Sequence, residues 1–278
     1  GTSVDYFLTA AANDGADIVS ITNAYTVEKC TVYVATDGAE AAPYDTWATA
    51  CTNLQTAIDY AHDGWRILVT NGVYYNMERA TTYWGQIYIP EVLVNKAVEI
   101  ASVNGWRDTI LDNRFIFRVL TVISRGAVVD GFTIRRGYAF DIGGLGGMAG
   151  GGVYMIDGTL RNCRIYNNYV AAAGSSGGGV FLDHNGMLDG CILEYNAALG
   201  AFVGYGGGAY FENGGVARSC LAFRNRASSS GGGLYLEYGT ITNCTVSGNS
   251  ASRTPQSGGI TVYHDGGVNN CIVYGNSG

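Results

Sequence analysis

The sequence predicts an all-β chain wound into stacked coils, a solenoid, with a short helix closing its N-terminal side. Three observations predict it: a repeat of 24 to 29 residues in the second half, a glycine-rich alternating strand ahead of every copy, and one amphipathic segment ahead of the array.

The repeat is plain once the chain is aligned on its cysteines. The copies read "GTLRNCRIYNN" from Gly158, "GMLDGCILEYN" from Gly186, "GVARSCLAFRN" from Gly215, "GTITNCTVSGN" from Gly239 and "GVNNCIVYGN" preceded by Gly266. Each has glycine five before the cysteine, an apolar residue three before it, an apolar residue two after it and asparagine five after it. Upstream stand "GGGVYMID", "GGGVFLDH", "GGGAYFEN", "GGGLYLEY" and "GGITVYHD". A unit this short cannot bury its apolar side alone, so it must stack on its neighbours. Stacked strands pair about 4.8 Å apart and turn equivalent residues into columns. Cys163, Cys191, Cys220, Cys244 and Cys271 therefore form an interior column, and Asn168, Asn196, Asn225, Asn249 and Asn276 an amide ladder at a bend. The segment "GAVVDGFTIRRG" reads as a degenerate sixth coil, with Phe132 in the cysteine column and Gly137 in place of asparagine. Strand-like runs before it move the start of the coils to about residue 90.

Ahead of that point, residues 52–62 carry Leu54, Ile58 and Ala61 at helical spacing, between the strands "TVYVAT" and "RILVTNGVYY". A helix laid over the first coil would cover an open sheet edge. The chain thus divides into an N-terminal extension or lead-in strand (1–29), a cap (30–89) and coils (90–278), the last two forming one continuous domain.

Composition agrees with this reading and excludes others. Of 278 residues only 14% are charged and 47% are hydrophobic, with 42 glycines, 20 tyrosines and 3 prolines, as suits strands and turns. A net charge of −7 argues against nucleic acid or an anionic membrane as main partner. No apolar run approaches the roughly 18 residues of a membrane span.

The Gly-rich coils ending C-x-I-x-x-N resemble the right-handed parallel β-helix repeats of the pectate-lyase-like superfamily, and more closely those of polymorphic outer-membrane and adhesin-type proteins. Residues 33–74, "YVATDG" through "WATACTNLQTAIDYA" to "VTNGVY", are similar to the cap of secreted bacterial β-helix proteins, although its usual Gly-Asp reads Gly64-Trp65-Arg66 here. The resemblance covers residues 30–278 and implies a right-handed parallel β-helix with a short N-terminal helical cap. It implies little about activity, because the superfamily holds lyases, hydrolases, phage spikes and adhesins.

Most motif residues have an architectural explanation. The glycine triplets precede strands, whereas a phosphate cradle precedes a helix. The stacked thiols lie along a line, whereas metal ligands surround a point. Cys30 and Cys51, outside the repeat, are a disulfide candidate. Asn243 formally opens a glycosylation sequon inside a coil.

The outward side of the first strand carries the functional reading. Alternation turns Val153, Val180, Ala209, Leu234 and Ile260 inward, so Tyr154, Phe181, Tyr210, Tyr235 and Thr261 form one outward column. Two residues on, Ile156, Asp183, Glu212, Glu237 and Tyr263 form a second. Aromatic rings beside carboxylates suit sugars, so Tyr154, Phe181, Asp183, Tyr210, Glu212, Tyr235, Glu237 and Tyr263 are the expected glycan-binding residues. Carboxylates about 5 Å apart also match a retaining glycosidase pair, making Asp183, Glu212 and Glu237 candidate catalytic groups. The same three are candidates to hold calcium; no other cofactor is implied. Tyrosines and acids equally decorate any exposed strand. His184 and His264 occupy equivalent turns too far apart for one dyad. Arginine is the base in several β-helix lyases, which draws attention to Arg114, Arg118, Arg135 and Arg136, but the superfamily's catalytic motifs are not visible.

The variable segments 169–176, 197–205 and 250–257, with the insert 138–150, should emerge on one side and either wall the aromatic column or stand as passive loops. The expectation is an extracellular or cell-surface protein that presents a polysaccharide-binding, adhesin-like face; the alternative is a polysaccharide lyase or glycoside hydrolase. The last coil has no evident cap, which suggests a fragment of a longer protein or, second, end-to-end self-association.

Overall fold

The computed structural model describes residues 30–75, 91–139, 149–171, 174–200, 203–253 and 256–278, together with the backbone of the strands Thr2–Leu8, Ile21–Val27, Thr81–Tyr83 and Gln86–Tyr88. Most of the lead-in read at 1–29 and most of the insert at 138–150 lie outside these residues.

The coils stack as the repeat predicts. Among the described residues, sheet I contains seven strands from Val92–Val94 to Ile260–Val262, sheet II nine from Thr31–Val34 to Gly266–Asn269, and sheet III eight from Gly72–Tyr75 to Ile272–Tyr274. A narrow fourth ladder of two-residue strands runs from Tyr138–Ala139 to Ser250–Ala251. Every pairing within these ladders is parallel and in register, for instance Tyr154 beside Phe181 and Phe181 beside Tyr210. Alternation fills the interior with Val153, Met155, Leu160, Ile165, Val180, Leu182, Leu188 and Leu193, all fully buried.

The boundary near residue 90 falls inside a continuous ladder. Thr31–Val34 pairs with Arg66–Val69, which pairs with Glu99–Ser102, so the cap strands are already members of sheet II. Their alternating pattern differs from the later repeat only because no cysteine or asparagine marks it.

The helix Leu54–Tyr60 is two residues shorter at each end than the periodic segment 52–62. Asn53 caps its start by accepting from the amides of Gln55 and Thr56 at 2.8 and 3.2 Å. Leu54, Ile58 and Ala61 are buried against the first coil. Gln55 imitates a further strand: its Oε1 accepts from Leu93 N at 2.8 Å and its Nε2 donates to Leu93 O at 3.3 Å. Lys96 donates to the carbonyls of Ile58, Asp59 and Ala61 at the other helix end. Thus the edge of sheet I and the orphan carbonyls of the helix are both satisfied.

The asparagine ladder is continuous. Asn168 Nδ2 donates to Ile134 O and to Asn196 Oδ1, both at 3.0 Å, and the same pair of bonds repeats from Asn196, Asn225 and Asn249. Each Oδ1 also accepts the backbone N–H of the asparagine one coil back, so a buried amide is satisfied on both sides. Gly137 occupies the ladder position before Asn168 and donates its N–H to Asn168 Oδ1 at 2.8 Å. The glycine runs meet backbone directly: a Cβ on Gly178 would lie 2.4 Å from Ala197 C and 2.6 Å from Gly207 O.

All seven cysteines are free thiols. Cys163, Cys191, Cys220 and Cys244 are buried in one column with Phe132, and Cys271 is half-buried at its end. The Cys30–Cys51 pairing is not formed. Cys51 bridges to Val34, four residues beyond Cys30 on the same strand, which is about 13 Å along an extended chain. A disulfide needs Cα atoms within about 7 Å. Cys51 is instead a core residue whose thiol is pushed up to about 12, chiefly by burial and then by Glu40.

Two measurements follow from the fold. Asn196→Ala leaves buried groups on both neighbouring coils unpaired and should cost roughly 3 kcal/mol in urea denaturation, whereas the exposed Asn104→Ala should change stability by less than ~0.5 kcal/mol. Alkylation of denatured, unreduced protein should label all seven cysteines, and prior reduction should leave both the labelling and the melting temperature unchanged.

Candidate functional site

The site candidates converge on the outer side of sheet I, although its character differs from the one alternation predicts. Thr121, Tyr154, Phe181, Tyr210, Tyr235 and Thr261 share one column. From Tyr154 to Tyr235 the rings stack at centroid spacings of 5.3, 5.3 and 5.2 Å, with planes within 13° of parallel. The ladder spacing of the strands holds each ring face against the next. Tyr263 stands off from Tyr235 at 6.3 Å and 30° and is exposed.

Alternation alone predicts an open platform, and the column is not one. Phe181, Tyr210 and Tyr235 are only 5%, 6% and 6% exposed. Beside them runs a short parallel ladder, Ala149 to Ser176 to Tyr205 to Ser230, formed by the variable segments that precede the glycine runs. Tyr205 leans on Tyr235 at 4.7 Å, and Ser230 Oγ lies 2.6 Å from Thr261 Oγ1. These segments therefore act as a wall and not as passive loops. No residue pattern marks them, because the sequence between asparagine and glycine run differs in every coil.

Between wall and column lies a cleft of about 450 Å³, within the usual range for small-ligand sites. Tyr154, Phe181, Tyr210 and Glu212 contribute its floor, and Ala149, Gly174, Ser176 and Tyr205 its wall. With ring faces occupied by other rings, the tyrosines offer a ligand their edges and hydroxyls. Tyr205 and Ser176 are the site residues that sequence reasoning missed.

The acidic column stands where the repeat places it, but its members differ in environment. The amides of Asp183, Glu212, Glu237 and Tyr263 bond to the preceding coil at 2.7 to 2.9 Å, which fixes them in one row. Asp183 is buried, and its Oδ1 accepts from His184 N at 2.9 Å and Asn213 Nδ2 at 2.8 Å. His184 Nδ1 also lies 2.8 Å from that oxygen. His184, largely exposed, is thus paired with its sequence neighbour Asp183. Burial and then the neighbouring Glu237 carboxylate push the Tyr210 phenol well up. Burial, then Tyr205 and Glu237, push Tyr235 up to about 12.

Glu212 lacks the support that Asp183 has. Among the described residues its carboxylate accepts no hydrogen bond, and it sits half-buried between Asp183 and Glu237. Burial and then these two neighbours raise its pKa, while His184 opposes them weakly. As for calcium, no three His, Cys, Asp or Glu side chains among the described residues converge to hold a metal. The three carboxylates lie along a line, and Asp183 is already bonded to His184 and Asn213.

The arginines singled out as bases are engaged elsewhere. Arg118, 4% exposed, caps the stack beside Tyr154, pairs with Glu91 at 3.0 Å and donates to the carbonyls of Ala149 and Gly150. Arg135 and Arg136 both bind the buried Asp112, and Arg114 lies 4.0 Å over the Tyr75 ring on sheet III. His264 stacks on Tyr238 at 5.2 Å.

Known proteins share this architecture. The family model described as "Right handed beta helix region" matches residues 124–278, more than half of the chain. The chain belongs to the right-handed β-helix family. Among solved structures it is similar to a rhamnogalacturonan lyase, with a TM-score of 0.59 and 15% identity over 88% of this chain and 68% of that one. It is also similar to the pectate lyase Pel9A, with a TM-score of 0.51 and 12% identity over 89% of this chain and 78% of that one. A search of curated proteins returns no match. At these identities the likeness is one of fold, the right-handed parallel β-helix that the coils predict. Among the described residues no helix is long and apolar enough to cross a membrane.

The electrostatics of Glu212 have a measurable sign. Its pKa is raised by folding above the ordinary 4.5, so its ionisation opposes folding: the penalty is absent below pH 4.5 and complete once pH exceeds the raised value. Glu212→Gln should therefore stabilise the protein at pH 7, by less than ~1 kcal/mol given its partial exposure, and the gain should vanish below pH 4.5 in paired thermal melts.

Proposed function

We propose that the protein binds a polysaccharide outside the cell, in the cleft between the tyrosine stack and its wall. One observation carries this reading: phenol edges, phenol hydroxyls and a carboxylate that accepts no hydrogen bond among the described residues meet in a cleft of ligand size. Sugar hydroxyls pair with such a carboxylate and with phenols, and sugar C–H groups pack against ring edges. The two structural neighbours are named for glycans, rhamnogalacturonan and pectate, which supports a glycan ligand on this fold. The regular coils, stiffened by the amide ladder, suit an adhesin-like role in which the face is displayed and the ligand is held.

A second reading, a polysaccharide lyase or glycoside hydrolase, is favoured by Glu212 specifically. A carboxyl with a raised pKa beside a carboxylate supported by hydrogen bonds, as Glu212 stands beside Asp183, is the arrangement that separates a general acid from its partner. In that role Glu212 would protonate the leaving oxygen, and Asp183 or Glu237 would act as nucleophile or base.

Calorimetric titration with a panel of oligosaccharides tests both. We expect at least one to bind, and Ala149→Trp, which fills the cleft from its wall, to weaken it at least ~tenfold, about 1.4 kcal/mol, with no change in melting temperature. Absence of binding across the panel, or affinity indifferent to Ala149→Trp, would reject the cleft. Release of reducing ends or unsaturated products by the wild type, lost in Glu212→Gln, would establish the second reading.

A further inference from the structure

The charge of the cleft bears on which glycans it accepts, a question that rests on the reading above. Glu212 lines the cleft, and Asp183 and Glu237 stand in the coils on either side of it in the same row, each a ladder step of about 4.8 Å away. The arginine that caps the tyrosine stack is spoken for. Arg118 is buried, and its guanidinium is held by Glu91, Thr121 and the carbonyls of Ala149 and Gly150.

Among the described residues, those that line the cleft include no lysine, arginine or histidine. In the equivalent segments of later coils stand Arg226, ahead of the strand Leu234–Leu236 and bonded to Ser252 Oγ, and Arg253, ahead of the strand Ile260–Val262. His184, beside the row, can carry positive charge, and it faces Asp183.

A uronic acid residue placed in the cleft would bring a carboxylate against this row with no cation among the described lining residues to receive it. Glu212 already stands between the like charges of Asp183 and Glu237, which add to burial in raising its pKa. Neutral rings meet no such repulsion, and a protonated amino group would be attracted. Charge complementarity of this kind suppresses the wrong ligand at a half-open site.

We propose that the cleft selects glycans without anionic substituents, neutral or amino-bearing, and rejects uronate polymers. This sets it apart from what the names of its structural neighbours would suggest.

The test titrates the intact chain, with EDTA present, against neutral gluco-, xylo- and galacto-oligosaccharides, a chitosan oligomer and an oligogalacturonate of matched length. At least one neutral or amino glycan should bind at least ~tenfold more tightly than the galacturonate, about 1.4 kcal/mol. Glu212→Gln should narrow that gap by improving galacturonate binding, and Glu237→Gln, checked by thermal melt as folded, should do so independently. Galacturonate binding as tight as the best neutral glycan overturns the proposal while leaving the cleft a glycan site. Tight galacturonate binding that appears only when calcium replaces EDTA also overturns it, and makes the row a cation-bridged site. Failure of every glycan to bind removes the glycan reading of the cleft and this selectivity with it. A preference for the amino-bearing oligomer that disappears above the pKa of its amines would assign the attraction to charge.

Discussion

Everything in this molecule depends on the parallel, in-register hydrogen bonding of one coil to the next. Because the backbone repeats at the ladder spacing, a side chain in one coil meets its equivalent in the next at van der Waals distance. Interior positions become columns of Val, Leu and Cys, and the bend before the fourth ladder becomes a row of amides that bond to one another. The same constraint creates the functional problem. Three acids placed at one repeat position are forced into a row whether or not their charges are compatible.

The N-terminal side and the outer face show how the chain handles what stacking leaves unfinished. At the N-terminal side Gln55 presents an amide to the edge of sheet I as a further strand would, and Lys96 closes the helix that carries it. On the outer face the tyrosine column would expose a long apolar stripe, and the segments preceding the glycine runs fold down beside it. That wall converts a flat decorated sheet into a cleft, and it changes the chemistry offered to a ligand from ring faces to ring edges and hydroxyls. Recognition then rests on hydrogen bonding and charge more than on stacking, which is why the environment of Glu212 matters more than the number of aromatic rings.

The acidic row illustrates how position and environment part company. Asp183, Glu212 and Glu237 are equivalent by repeat, yet Asp183 is bound by His184 and Asn213, whereas Glu212 accepts no hydrogen bond among the described residues and has its pKa raised. These differences come from neighbours at the variable position after the acid and from the column beside it. They separate a supported carboxylate from one poised to take or give a proton.

The sequence by itself determined the coil period, the inward and outward residues, the asparagine ladder and the capping helix. Each of these follows from local alternation or from a repeat, and a repeat states on its own which residues become neighbours, because equivalent positions of successive coils must stack. What only the tertiary structure decided was contact between segments that no pattern links: Gln55 on Leu93, Tyr205 on Tyr235, and Cys51 beside Val34, well away from Cys30. The exposure of the tyrosine column escapes the sequence for the same reason, since alternation says which side of a strand a residue faces and says nothing of what lies over that side.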